Sequence, residues 1–277
     1  MAKLFKRKVI AHQFGANYEG FYNSQSPFLQ KKIKNTIEKT DYFIVEGDYT
    51  KKQLSFVKDY ENKVVSIPNG LPQKVKSDII KPKNISEPIV ILYLSNMIEG
   101  KGFWDVLEAG NLLYNKYNKN IKLIFAGRFL EDLEDTLCKT SEEARDLFSK
   151  KLKEYNLSDK TVYYEGLYGA QKEEAFLNAH FFILPSYYIN EGQPVSVLEA
   201  IAYGCVPIVT EYRLIPSMVN NENGFFVKPK SPEEIAEKIL ESDDAPGMYR
   251  KKSENGIAFY EQNFTAEKYV SQILKLF

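Results

Sequence analysis

The sequence predicts an α/β protein built on parallel sheets and divided into two parts. Short apolar runs, among them Ile89–Leu94, Leu123–Ala126 and Phe181–Leu184, have the length and continuity of strands buried on both faces. Longer stretches with helical patterning alternate with them, the order expected of a parallel sheet. A polar stretch from Gln73 to Pro88, with Lys81-Pro82-Lys83 and Glu87-Pro88 inside it, interrupts the series and reads as a linker.

Ahead of that linker, Lys8–Ala11 reads as a strand, Phe28–Thr40 as a helix and Tyr42–Val45 as a strand. A helix at Thr50–Lys58 and a strand at Val64–Ile67 follow, closed by the turn Pro68-Asn69-Gly70. Residues 1–75 therefore form a small β-α-β-α-β unit, whose three short strands make a thin sheet for an independent domain. Beyond the linker at 76–88, the larger unit spans 89–250. It opens with the strand Ile89–Leu94, the loop Ser95–Gly102 and a helix to about Tyr117. Strands follow at Leu123–Ala126 and Val162–Tyr164. The stretch Glu131–Glu154 between them carries acid and base at helical spacing and reads as a solvated helical face. A strand at Gly224–Val227 and a helix with Pro232 at its first position end the unit. Residues 251–277 are C-terminal helices, the last striped by Tyr269, Val270, Ile273, Leu274 and Phe277.

Composition narrows the classes of function. Lys plus Arg and Asp plus Glu number 37 each, so no global field points to nucleic acid. Cys138 and Cys205 are too few for a disulfide framework or a zinc site. No apolar run approaches membrane-spanning length, and MAKLFKRKVI lacks a signal-peptide core, which places the chain in the cytoplasm by default. Without Asp-x-Asp, HExxH or clustered Cys and His, no metal is called for; without Gly-x-Gly-x-x-Gly, a dinucleotide oxidoreductase is not expected.

The chemistry concentrates in FFILPSYYINEGQPVSVLEAIAYGCVPIVT, residues 181–210. The strand Phe181–Leu184 runs into a turn-rich loop, then a helix from about Ser196 to Tyr203, then the strand Val206–Val209, with Gly204 placed to end the helix. Ligands of open α/β sheets bind at the loop after such a strand. Glu191 lies in the loop and Glu199 one turn into the helix, and the amides of Gln193, Val195 and Ser196 between them can face an anion. Phosphate held there, with a carboxylate on each side, suits a nucleotide sugar. Ser196–Glu199 also fits a capping box, in which Glu199 only ties down its own helix start. Glu191 has no helix to cap.

EGQPVSVLEAIAYGCVPIV resembles the signature of the retaining family 4 glycosyltransferases, which have the two-domain GT-B fold. AHQFGANYEGFYN resembles that family's histidine loop, and YFIVEGDYTKKQL with KVVSIPNGL resembles the end of its acceptor-side domain. The resemblance implies a GT-B-like α/β chain: a Rossmann-like donor domain at 89–250, a partial acceptor-side domain at 1–75 lacking the family's front part, and a last helix crossing back to the first domain. A cut form, one piece of a split enzyme and a shortened natural form all fit that reading. Glu191 then contacts the transferred sugar, and Glu199 the ribose hydroxyls. Lys101 faces the donor diphosphate, Leu167 lines the base, and Gly192, Gln193, Pro194, Val195 and Ser196 surround the phosphates. His12 lies near the transferred sugar, with a structural hydrogen bond as its alternative; His180 reads as a core or edge residue. One departure stands out: Asn96 occupies the position of the family's arginine, and Arg128 is a candidate replacement. The implied reaction is metal-free hexose transfer with retention, without a cofactor, from a UDP- or GDP-linked sugar to a glycan or lipid-linked acceptor in surface polysaccharide synthesis. The alternative is a non-catalytic nucleotide-sugar-binding module or one subunit of a split enzyme completed by a partner subunit. The basic residues Lys3, Lys6, Arg7, Lys8, Lys31, Lys32 and Lys34 admit two readings, a solvated face or peripheral contact with anionic lipid at the inner membrane face.

Overall fold

The computed structural model describes residues 7–71 and 80–277; Lys3, Lys6 and residues 73–79 of the expected linker stretch lie outside the described residues. Two parallel sheets organise the chain. The smaller has strands β1 (Ile10–His12), β2 (Tyr42–Val45) and β3 (Val64–Ser66) in the order β1-β2-β3. Helices α1 (Tyr18–Asn23), α2 (Pro27–Lys39), α3 (Asp48–Lys52) and α4 (Tyr60–Lys63) connect them. Helix α2 starts where Ser26 accepts a hydrogen bond from the Leu29 amide and Pro27 presets the first turn.

The single helix expected at Thr50–Lys58 is broken. It stops as α3, turns, passes Asp59 in a left-handed conformation (φ 56°) and resumes as α4. Two side-chain demands account for the break. Leu54 and Val57 are buried with Phe43 and Val45, and Gln53 turns inward to hold the Ala16 carbonyl (2.7 Å) and the Tyr18 amide (2.8 Å). Tertiary contacts override local helical preference here.

The larger sheet has six strands: β4 (Ile89–Leu94), β5 (Ile121–Ala126), β6 (Thr161–Tyr164), β7 (Phe181–Leu184), β8 (Val206–Thr210) and β9 (Phe225–Val227). They run parallel in the order β6-β5-β4-β7-β8-β9, the doubly wound arrangement of Rossmann-like sheets. Its helices are α5 (Phe103–Asn111), α6 (Ser141–Glu154), α7 (Gly169–Asn178), α8 (Val195–Ala202), α9 (Pro232–Asp244) and α10 (Pro246–Asn263), and α11 (Ala266–Leu274) ends the chain. The chain is the GT-B-like α/β fold expected from the sequence. Strands β7 and β8 are buried along their whole length, as runs covered on both faces should be.

Helix α5 is shorter than expected and passes into a wider π-type turn at Leu112–Lys116 before Tyr117. The acid- and base-rich stretch is helical only from Ser141, where Thr140 and Glu143 form a reciprocal capping box. The preceding residues instead wrap around buried Glu99, whose carboxylate accepts from the Thr136 amide (2.7 Å) and hydroxyl (2.7 Å) and the Leu137 amide (2.9 Å). Helix α11 lies on the small sheet, with Leu276 in a cluster with Ile44 and Ile67, and Tyr269 and Ile273 against it. No helix among the described residues is long and apolar enough to cross a membrane.

The topology fixes where a ligand can sit. Strands β4 and β7 are neighbours, yet the sheet is wound outward from them in both directions. The loops leaving their carboxyl ends therefore diverge and open a crevice between them.

Candidate active site

Those two loops meet across a short gap. Gly102 follows β4 with φ 78°, and a side chain there would collide with the Pro185 ring (2.6 Å) and carbonyl (2.7 Å). The Tyr187 amide donates to the Gly100 carbonyl at 2.8 Å, which pins the loop after β7 to the loop after β4. This contact sets Lys101 against Glu191. Lys101 Nζ donates to Glu191 Oε1 (2.8 Å) and Oε2 (2.9 Å) and lies 4.8 Å from the Tyr188 ring centroid. Glu191 is 3% exposed and also accepts from the Ser186 hydroxyl; Ser186 in turn holds the Thr210 hydroxyl through its carbonyl. A charged pair with almost no water around it is a strong local field at the mouth of the crevice.

The helix start departs from expectation in two ways. Helix α8 begins at Val195 with Pro194 as its cap residue and no side-chain cap, so the capping-box alternative for Glu199 does not describe the structure. Glu199 Oε1 instead accepts from Lys172 Nζ at 2.5 Å. The Gln193 amide does not face outward with those of Val195 and Ser196: it donates to Glu46 Oε2 at 3.3 Å. The reason is burial: Gln193 is 3% exposed and its side-chain oxygen takes the Asn69 amide at 2.6 Å. Gly192 and Pro194 are half-buried and Val195 exposed at the same corner.

Beside this corner lies a cleft of roughly 480 Å3, lined by Asn96, Arg128, Leu167, Tyr168 and Lys172 among others. Three sequence-predicted residues, Asn96, Arg128 and Leu167, share it. Leu167 is buried, Arg128 exposed, and Tyr168 stands 72% exposed at the rim. On the opposite side, His12 ends β1 half-buried, with its Nδ1 3.2 Å from the Tyr269 hydroxyl and its ring tilted against that of Phe14, centroids 4.3 Å apart. Its Nε2 is buried without a hydrogen-bond partner among the described residues. Partial burial lowers the His12 pKa, against the opposing pull of Glu46. His180 is buried and accepts the Val90 amide through Nδ1 at 2.9 Å, as a core residue should.

Sequence reasoning missed Glu46, Asn69, Lys172 and Arg213. Glu46 follows an apolar strand at its carboxyl end, where ligand loops start, and that position was a usable signal. Asn69 reads from the sequence only as a turn residue. Arg213, whose guanidinium reaches the Ala16 carbonyl, sits in a loop with no local pattern to mark it.

Taken together, the doubly wound large sheet, the second parallel α/β unit and the Lys101–Glu191 pair at the switch point define a GT-B-like protein with a candidate ligand site in the β4/β7 crevice. Sequence comparison agrees: residues 75–259 match the family profile of glycosyl transferases group 1, and the chain belongs to that family. It is 27% identical over 290 residues to the uncharacterized glycosyltransferase MJ1069 of Methanocaldococcus jannaschii, a match covering 100% of this chain and 70% of that protein. A shorter match, 36% over 69 residues, joins it to the putative teichuronic acid biosynthesis glycosyltransferase TuaC of Bacillus subtilis, covering 25% of this chain and 17% of TuaC. Among solved structures, Anabaena Alr3699/HepE in complex with UDP and glucose superposes with a TM-score of 0.73 at 14% identity, covering 99% of this chain and 72% of that one.

Proposed function

We propose that the protein moves a hexose from a nucleotide-diphosphate sugar to a glycan or lipid-linked acceptor, with retention at the anomeric carbon, in surface polysaccharide synthesis. The Lys101–Glu191 pair at the β4/β7 crevice carries this reading. Lys101 has three N–H donors and gives two to Glu191, so one stays available to a departing diphosphate, where negative charge develops. Glu191 keeps lone pairs for a sugar hydroxyl and, being fixed by Ser186, orients the sugar without reorganisation. The cleft of Asn96, Leu167 and Lys172 takes the nucleoside, with Glu199 at its ribose, so that residues 89–250 act as the donor domain and 1–75 as the acceptor side. HepE was solved with UDP and glucose, which makes UDP-sugars the first donors to test and GDP-sugars the second. Exposed Phe21, Phe28 and Leu29 beside Lys31, Lys32 and Lys34 support a peripheral contact with anionic lipid, measurable by vesicle co-sedimentation.

The test is nucleotide release and product formation with a panel of donors and acceptors, and NMR of the product's anomeric configuration. Transfer that inverts the configuration would refute retention, and transfer undiminished in Glu191→Gln would refute the site. A second reading is a nucleotide-sugar-binding module or one subunit of a split enzyme. Asn96 favours it, because an uncharged side chain stands in the cleft where the resemblance expects an arginine. Binding without turnover, relieved by a partner chain, would decide for it.

A further inference from the structure

We propose that Glu46 is a positioning residue that couples the His12 loop of the small sheet to the Glu191 loop of the large sheet. This rests on the proposed transfer reaction, whose centre those two loops enclose. Glu46 follows β2 and is 4% exposed. Its Oε2 accepts from the Gly15 amide (2.9 Å) and the Gln193 amide (3.3 Å), and its Oε1 from Asn69 Nδ2 (2.7 Å). All three donors are neutral N–H groups, and they come from three separate segments. The Asn69 amide closes the arrangement by donating to Gln193 Oε1 at 2.6 Å.

A carboxylate this deeply buried is costly unless its lone pairs are filled, and here they are filled only while the two loops stay together. The packing leaves no slack. A side chain at Gly192 would lie 2.3 Å from Glu46 Oε2 and 3.0 Å from the Gly15 Cα. Two further ties follow the same seam: Asn17 Nδ2 donates to Asn190 Oδ1 at 3.1 Å, and Arg213 reaches the Ala16 carbonyl. Glu46 is the member that bonds to the backbone on both sides at once.

The consequence is geometric. His12 stands three residues before Gly15, and Glu191 two residues before Gln193, so Glu46 sets the gap between them. Neither Glu46 nor its partners Gly15, Asn69 and Gln193 line the cleft of Asn96, Leu167 and Lys172, so its effect falls on the reaction and spares the affinity for nucleotide. Glu46 and Tyr269 are the titratable groups that face His12, which makes the His12 ring a reporter of the coupling.

Glu46→Gln tests this, because it keeps size and one acceptor oxygen while removing the charge and one lone-pair set. With the full chain, turnover should fall about 10- to 100-fold, the cost of loosening reacting groups by a fraction of an ångström to an ångström. UDP affinity by calorimetry should hold. The His12 titration, followed by NMR in the free protein, should move further down, since Glu46 is the group raising it. Asn69→Ala removes one donor to Glu46 yet keeps the Glu46 charge, so turnover should fall more weakly with UDP affinity held, and it carries the turnover test if Glu46→Gln proves misfolded by circular dichroism. Unchanged turnover, a loss confined to UDP affinity, or an unmoved His12 titration would overturn the proposal. The titration needs no donor, so it distinguishes failure of the coupling from failure of the transferase reading, which would show as wild-type protein without turnover on any donor.

Discussion

Replacing Lys101 by Met leaves the Glu191 carboxyl, 3% exposed, with Ser186 as its side-chain partner among the described residues. At 2.8 Å the lost attraction is about 6 kcal/mol with an effective dielectric constant near 20, before desolvation is set against it. Removing one partner of a buried pair costs about 3–5 kcal/mol once those opposing contributions are included. In a chain of this size that lowers the melting temperature by roughly 6–20 °C. Glu191→Gln strands the Lys101 ammonium in the same way, though Lys101 is more exposed and the loss smaller. The double variant leaves two neutral side chains and should be more stable than the sum of the single losses allows. Urea and thermal denaturation of all four proteins close the cycle. Additive losses, or a Lys101→Met cost below about 1 kcal/mol, would show that the two groups are not paired in solution.

Three other outcomes follow from the same structure. Glu199→Ala should weaken UDP binding about ten-fold or more, the worth of hydrogen bonds to a charged group, and leave turnover at saturating donor nearly intact; calorimetry and kinetics separate the two. His180 has its pKa pushed down from 6.5 to about 4 by burial and by Lys83. The unfolded chain takes up that proton first, so the contribution is whole above pH 6.5 and is lost as pH falls through about 4. It amounts to on the order of 3 kcal/mol and should shrink in His180→Asn melts compared at pH 7.5 and 4.5. Asp105 has the opposite sign: burial raises its carboxyl to about 6, and its Oδ2 has no hydrogen-bond partner among the described residues. Its penalty is absent below about pH 4 and complete above about pH 6, so Asp105→Asn should stabilise the protein at pH 8 by up to about 3 kcal/mol and leave it unchanged at pH 4.

The elements most readable in the sequence were those whose burial alone decides them. The runs Ile89–Leu94 and Phe181–Leu184 appear as strands at the expected residues because continuous apolar character leaves a parallel sheet little alternative. The placement of Glu191 at the crevice is legible for a related reason: an acid in a loop next to glycine, after a buried strand, has no helix start to cap. Thr50–Lys58 was misread because Gln53 answers to Ala16 and Tyr18, more than thirty residues away, and no local pattern encodes that. The Gln193 amide was misassigned for the same cause, since its partner Glu46 lies 147 positions earlier in the chain. Where a group's partner comes from the other sheet, sequence spacing carries no record of it. Glu46 and Asn69 belong to that category; Lys172 pairs within its own unit, with Glu199 on the next helix.

The account turns on where the donor sits. A crystal structure of the protein with a UDP-sugar, or with UDP and the free sugar, reads this directly. Density for the nucleoside in the cleft of Asn96, Leu167 and Lys172, with a sugar hydroxyl within hydrogen-bond reach of Glu191 and phosphate beside Lys101, is the predicted result. Nucleotide bound away from the β4/β7 crevice, or a sugar that leaves the Lys101–Glu191 pair untouched, would contradict it.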